Sequence, residues 1–160
     1  MYLLMFLFPE IGTKRTGFVL FYAGCPIIWL SKLQTESSLS TTESEFIAFS
    51  QAMRDLIPMM GLLEELQKVI PYLHSIPILH CKVFEDNRGR IDLINSPRLR
   101  PRTKHIALKY HHCREHVQSK TISVKYIETE DQVADIFTKA LAAPQFHKLR
   151  PLLTGHEHPG

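Results

Sequence analysis

Long apolar runs are absent from this chain of 160 residues. The longest, Met1 to Phe8 ("MYLLMFLF"), falls well short of the roughly 18 residues that a membrane-spanning helix needs. It also lacks the basic start and small-residue cleavage site of a secretory leader, so a buried strand is the expected reading. Cysteine is scarce and odd in number, Cys25, Cys81 and Cys113, without close pairing, which excludes a disulfide framework and suits a reducing, intracellular and non-secreted setting, with the cytoplasm as the expected compartment. Glycine numbers only 7, and no Gly-rich phosphate loop occurs. No serine or cysteine stands beside an evident base, so nucleotide hydrolysis and acyl transfer have no support. Internal repeats and low-complexity tracts are missing too, which leaves segment order as the carrier of information.

What is present fits one domain. A hydrophobic content of 44 % suffices for a core, and the formal charge of +3 is too small to imply a polyanion partner by itself. Thr16 to Tyr22 and Pro26 to Leu30 are β-branched and aromatic runs around Ala23-Gly24-Cys25, which predicts a hairpin. From about Thr42, Phe46, Phe49, Met53, Leu56 and Met60 recur at helical spacing, which predicts a long helix to about Lys68, kinked or broken near Ile57 by Pro58. Further along, strands are expected over Ile76 to Phe84 and Thr121 to Ile127. Helices are expected over Asn87 to Asn95, Ile106 to Val117 and Asp131 to Leu141, with a last helical turn or two from Pro144 and a frayed tail. Strands first, then alternating helices and strands, predict an α/β mixed sheet flanked by helices.

Three acids stand out within that order. Glu45 leans toward the apolar face of the long helix, yet Ser40-x-x-Glu43 and Thr42-x-x-Glu45 both spell a capping box. Asp86 follows a hydrophobic strand directly, where a carboxylate projects into a crevice, although Asp is also a favoured helix cap; Glu85 should face the other way. Asp135 lies one turn into a predicted helix, stacked on Asp131 at a repulsive spacing, and propensity does not explain it. Converging carboxylates supply the hard oxygen ligands of Mg²⁺ or Mn²⁺, and two such ions suit phosphodiester cleavage.

The connector "RLRPRTKH" concentrates Arg98, Arg100, Arg102, Lys104 and His105, a density that suits phosphate contacts; a solvated loop is the plainer alternative. In "YHHCREH", His112 and His116 stand at i, i+4 beside Cys113, a spacing that zinc accepts, but no second Cys or His pair follows and a packed amphipathic helix explains the segment. The terminal "HEH" has no scaffold.

Taken together, "TGFVLFYAGCPIIWLSKLQTESSLSTTESEFIAFSQA", "EDNRGRIDLINSP", "RTKHIALKYHHCRE" and "YIETEDQVADIFTKAL" give a chain that resembles the ribonuclease H domain of the Pol polyprotein of copia-type LTR retrotransposons. The resemblance runs from roughly Thr13 to Leu153 and implies a ribonuclease H-like fold over 13–153, preceded by an atypical apolar segment 1–12 and followed by a disordered tail 154–160. It further implies two-metal hydrolysis of the RNA strand of RNA–DNA hybrids, in a Pol polyprotein that also carries a reverse transcriptase, with no membrane partner. By motif, Glu45, Asp86 and Asp135 are the metal-binding catalytic acids, while the basic connector is expected to bind nucleic acid on its charge density alone. The family's fourth acid belongs on the first strand, upstream of the Thr-Gly-Phe hairpin. This chain reads "MYLLMFLFPEIG" there, with Glu10 as the only acid before Glu36. Weak Mg²⁺ or Mn²⁺ binding and impaired cleavage follow, with a non-catalytic nucleic-acid-binding remnant as the alternative. A first strand that failed to form would leave the sheet open, as in an unfolded pseudogene product.

Overall fold

A computed structural model describes residues 2–10, 15–33, 41–70, 80–95 and 104–155. Among these, strands β1 (Tyr2–Glu10), β2 (Arg15–Tyr22), β3 (Cys25–Leu33), β4 (His80–Glu85) and β5 (Ile122–Tyr126) form one sheet in the order β3-β2-β1-β4-β5. Helices α1 (Thr41–Val69), α2 (Arg88–Asn95), α3 (Lys104–Gln118) and α4 (Ala143–Thr154) complete the α/β architecture. The first strand is therefore present, and it occupies the centre of the sheet. It pairs antiparallel with β2, from Leu3↔Tyr22 to Glu10↔Arg15, and parallel with β4, from Tyr2↔His80 to Phe6↔Phe84.

The β2–β3 hairpin turns through Ala23 (φ 53°) and Gly24 (φ 81°), the two positive φ values that a two-residue turn matching strand twist requires. Parallel pairing of β1 with β4 and of β4 with β5 needs long crossovers, and helices lie within them: α1 in the first, α2 and α3 in the second. Phe18, Leu20, Cys81, Val83 and Ile122 meet Ala48, Phe49, Ala52, Met53, Leu56 and Met60 of α1, with Ile94 and Cys113, in the main core. A second cluster on the opposite face joins Val19 and Phe21 to Val133, Ala134 and Leu149. Because both faces of β2 are covered, Thr16 to Phe21 are buried without a break, and the polar alternation of a half-exposed strand is missing.

Two expectations need correction. Pro58 lies inside an α1 that runs unbroken from Thr41 to Val69, where a kink or break near Ile57 was expected. Pro58 and Arg54 are exposed, so the carbonyl deprived of its partner faces water, while buried Leu56 and Met60 hold the turns on either side. The expected helix over Asp131 to Leu141 is instead two 3₁₀ turns, Thr129–Asp131 and Val133–Phe137, separated by an extended Gln132 (φ −74°, ψ 96°). Gln132, Val133, Ala134 and Asp135 are all buried, and four consecutive buried residues cannot share the one face that a surface α-helix presents to a core. Of the strand expected over Ile76 to Phe84, residues 76–79 lie outside the described residues, as does the tail from 156 onward.

Candidate active site at one end of the sheet

β1 and β4 run in the same direction, so both finish at one end of the sheet. The Glu10↔Arg15 and Arg15↔Leu33 pairs bring the start of β2 and the end of β3 to that end as well. Asp86 is the first residue past β4. Its Oδ1 is buried and has no hydrogen-bond partner among the described residues, and a buried carboxylate oxygen without a donor is costly unless a cation approaches. Helix capping does not account for Asp86: Asn87 occupies the cap position, its carbonyl accepting from the Ile91 N–H at 3.2 Å. Glu85, the last residue of β4, is 1 % exposed and alternates onto the α1 face with Cys81 and Val83. Its Oε1 accepts the Asn87 N–H at 3.0 Å, which fixes the corner from which Asp86 emerges. Arg88 stacks on the Tyr126 ring at 4.3 Å and pins the start of α2 to β5.

Asp135 sits in the Val133–Phe137 turn and is fully buried. That turn packs against β1, β2 and α4. Gly17 of β2 makes the close approach possible, because a Cβ there would stand 3.2 Å from Phe137 Cβ and 3.4 Å from the Ala134 carbonyl oxygen. The Ser31 hydroxyl donates to the Phe137 carbonyl, and Arg15 Nη1 donates to Ser31 Oγ at 2.8 Å, so β2 and β3 together hold the turn. Gly17 pairs with Phe8, and continuing the β1–β4 register by two residues sets Phe8 level with Asp86. Phe84, two residues before Asp86, packs in the same cluster as Val133 and Ala134. Asp86 and Asp135 thus flank one end of β1.

The charge on Asp135 is met by Lys139, whose Nζ lies 2.8 Å from Oδ2. The i, i+4 spacing of Asp135 and Lys139 in "ADIFTK" is the sequence signal for this pair. Asp131 does not stack on Asp135, since Gln132 interrupts the helix; it pairs with Lys148 of α4 at 2.7 Å, which raises the Lys148 pKa. Glu45 is the fifth residue of α1; its side chain and that of Glu43 lie outside the described residues. Lys104 and His105 open α3, again without described side chains, and Arg98, Arg100 and Arg102 lie outside the described residues altogether.

β1 brings no carboxylate to the level of Asp86, where the register sets Phe8, and its one acid, Glu10, pairs in register with Arg15 at the last position. Among the described residues no group of three His, Cys, Asp or Glu is placed to hold a metal ion. Asp86 and Asp135 are hard oxygen donors of the kind that Mg²⁺ or Mn²⁺ accepts, and Oδ1 of Asp86 is buried without a hydrogen-bond partner among the described residues. Burial raises the Cys81 and Cys113 thiols to about 12, so neither is a thiolate nucleophile at neutral pH. Among the described residues no helix is long and apolar enough to cross a membrane.

This mixed sheet with helices on its faces and acids at one end is compatible with a ribonuclease H-like α/β fold. No protein-family model matches the chain. Its homologues are Pol polyproteins of transposons. It is 34 % identical over 145 residues, 91 % of this chain and 10 % of the relative, to the retrovirus-related Pol polyprotein from transposon TNT 1-94 of Nicotiana tabacum. It is 36 % identical over 133 residues, 83 % of this chain and 9 % of the relative, to that from transposon RE2 of Arabidopsis thaliana. The transposon Ty1-NL2 Gag-Pol polyprotein of Saccharomyces cerevisiae is 34 % identical over 119 residues, 72 % of this chain and 6 % of the relative. The chain spans about a tenth or less of the length of these curated relatives.

Proposed function

We propose that this chain is the ribonuclease H-like segment of a copia-type retrotransposon Pol polyprotein, acting inside the cell beside a reverse transcriptase on RNA–DNA hybrids. The observation that carries the reading is the buried, donorless Oδ1 of Asp86 at the end of β4, on the same end of the sheet as the buried Asp135. Glu45, Asp86 and Asp135 would hold Mg²⁺ or Mn²⁺. When bound, such an ion supplies an activated water and neutralises charge on the scissile phosphate. Lys139, 2.8 Å from Asp135 Oδ2, orients that carboxylate, and Glu85 fixes the backbone from which Asp86 projects. Arg98, Arg100, Arg102, Lys104 and His105 would contact backbone phosphates, with the hybrid recognised by groove shape and 2′-hydroxyls rather than base identity.

Because β1 contributes no carboxylate opposite Asp86, cleavage should be slow. That same absence, in a sheet whose strands are all paired into one body, favours a second reading in which the fold survives as a non-catalytic nucleic-acid-binding remnant. An end-labelled RNA–DNA hybrid incubated with Mg²⁺ or Mn²⁺ separates the two. Cleavage of the RNA strand by the parent, abolished in Asp86→Asn, supports the enzyme; binding without cleavage by a cooperatively folded parent supports the remnant.

A further inference from the structure

His112, Cys113 and His116 lie within one turn of α3 but face two different environments. Cys113 points inward, 1 % exposed, into the core beneath α1. A sulfur ligand beside the histidines is thereby ruled out. His112 is exposed and His116 half-buried, one helical turn apart near the C-terminal end of α3, with ring centroids 4.9 Å apart and planes at 74°.

That separation is a chelating one. A metal ion bound at about 2.0–2.1 Å from an imidazole nitrogen sits roughly 3 Å from the ring centroid, so two rings sharing one ion at a tetrahedral angle stand about 5 Å apart. Both rings are on the solvent side of the helix, which gives an ion an entry path and leaves water to fill its other positions.

We propose that His112 and His116 form a surface chelate for a borderline divalent ion of the zinc class, with Glu115 placed to add its charge. Imidazole pairs favour Zn²⁺, Ni²⁺ or Cu²⁺ and discriminate against Mg²⁺, so this site is chemically separate from the carboxylates at the sheet end. It stands whether or not the chain cleaves hybrids. A bound ion would staple the last full turn of α3, just before the chain enters β5.

The test is calorimetric titration of the full chain with ZnCl₂, alongside MgCl₂, after EDTA treatment. His112→Ala and His116→Ala should each weaken Zn²⁺ binding by about tenfold or more, since each removes one of two protein ligands. A His156→Ala/His158→Ala double variant and Cys25→Ser should leave it within roughly twofold, because neither removes one of the two ligands proposed. The parent's unfolding midpoint should rise by roughly 5 °C or more at free Zn²⁺ about 100 times Kd. His112 is exposed, so its alanine variant should keep the parent's midpoint in EDTA, which separates ligand loss from misfolding. Undiminished zinc affinity in both single-histidine variants, loss of affinity in the tail variant, or equal binding of Mg²⁺ would overturn the proposal.

Discussion

Gly17→Ala tests how the sheet holds the buried acid. A Cβ at position 17 would lie inside the van der Waals envelope of Thr138 Cγ2, with Phe137 Cβ at 3.2 Å and the Ala134 carbonyl oxygen at 3.4 Å. Thr138 cannot swing away freely: it is buried and β-branched, and its N–H donates to the Asp135 carbonyl at 3.1 Å, so displacing it drags on Asp135. Overpacking of this kind costs about 1–3 kcal/mol. The loss of unfolded-chain entropy from Gly to Ala offsets roughly 0.4–1 kcal/mol of it. The overlap wins, leaving a net loss of about 1–2 kcal/mol, or a fall of roughly 2–8 °C in the unfolding midpoint for a chain of this size. Thermal unfolding followed by circular dichroism reads it. Thr138→Ser removes the offending methyl, so Gly17→Ala/Thr138→Ser should recover most of what Gly17→Ala loses, a coupling that a double-mutant cycle isolates. A Gly17→Ala midpoint within a degree of the parent, or no recovery in the double variant, would refute the argument that this glycine admits the Asp135 turn to the sheet.

Other outcomes follow from the same structure. Lys139→Met leaves the fully buried Asp135 short of its cation and should cost about 2–4 kcal/mol in denaturant unfolding, with Asp135→Asn in that background recovering part of the loss. At pH 8 a thiol reagent should label Cys25 readily and leave Cys81 and Cys113 unlabelled until the chain is unfolded. The same two thiols titrate near 12 in the folded chain and lower in the unfolded one, so their contribution to stability is complete below the unfolded pKa and is lost as pH rises from there through about 12. Unfolding midpoints measured across that alkaline range should fall with pH.

Much of the fold is local and was legible. The hairpin, the long helix and the strand after Lys120 each advertise themselves by apolar periodicity and by turn residues, which depend on neighbours in sequence. The helical pattern of Phe49, Met53, Leu56 and Met60 needs no partner to be recognised. Asp86 was legible for the same reason, as an acid directly after an apolar strand. Periodicity did not disclose whether Met1 to Phe8 was an edge, a centre or no strand at all, because pairing is decided by β2 and β4, the latter far along the chain. Nor did propensity foresee that Pro58 would be tolerated inside α1, since its exposure is set by which face the core claims.

The sequence by itself determined the order of elements, the identity of the candidate acids and the lack of any acid before Glu10, since these are properties of residue type and spacing. Only the tertiary structure decided that the first strand lies at the centre of the sheet and that Gly17 leaves room for a 3₁₀ turn in place of a helix. It also buried Asp135 in a turn packed against β1 and β2 and turned Cys113 away from two histidines that share a solvent face. Each of these depends on burial and on contacts between residues distant in the chain, where close packing overrides what local propensity alone would choose.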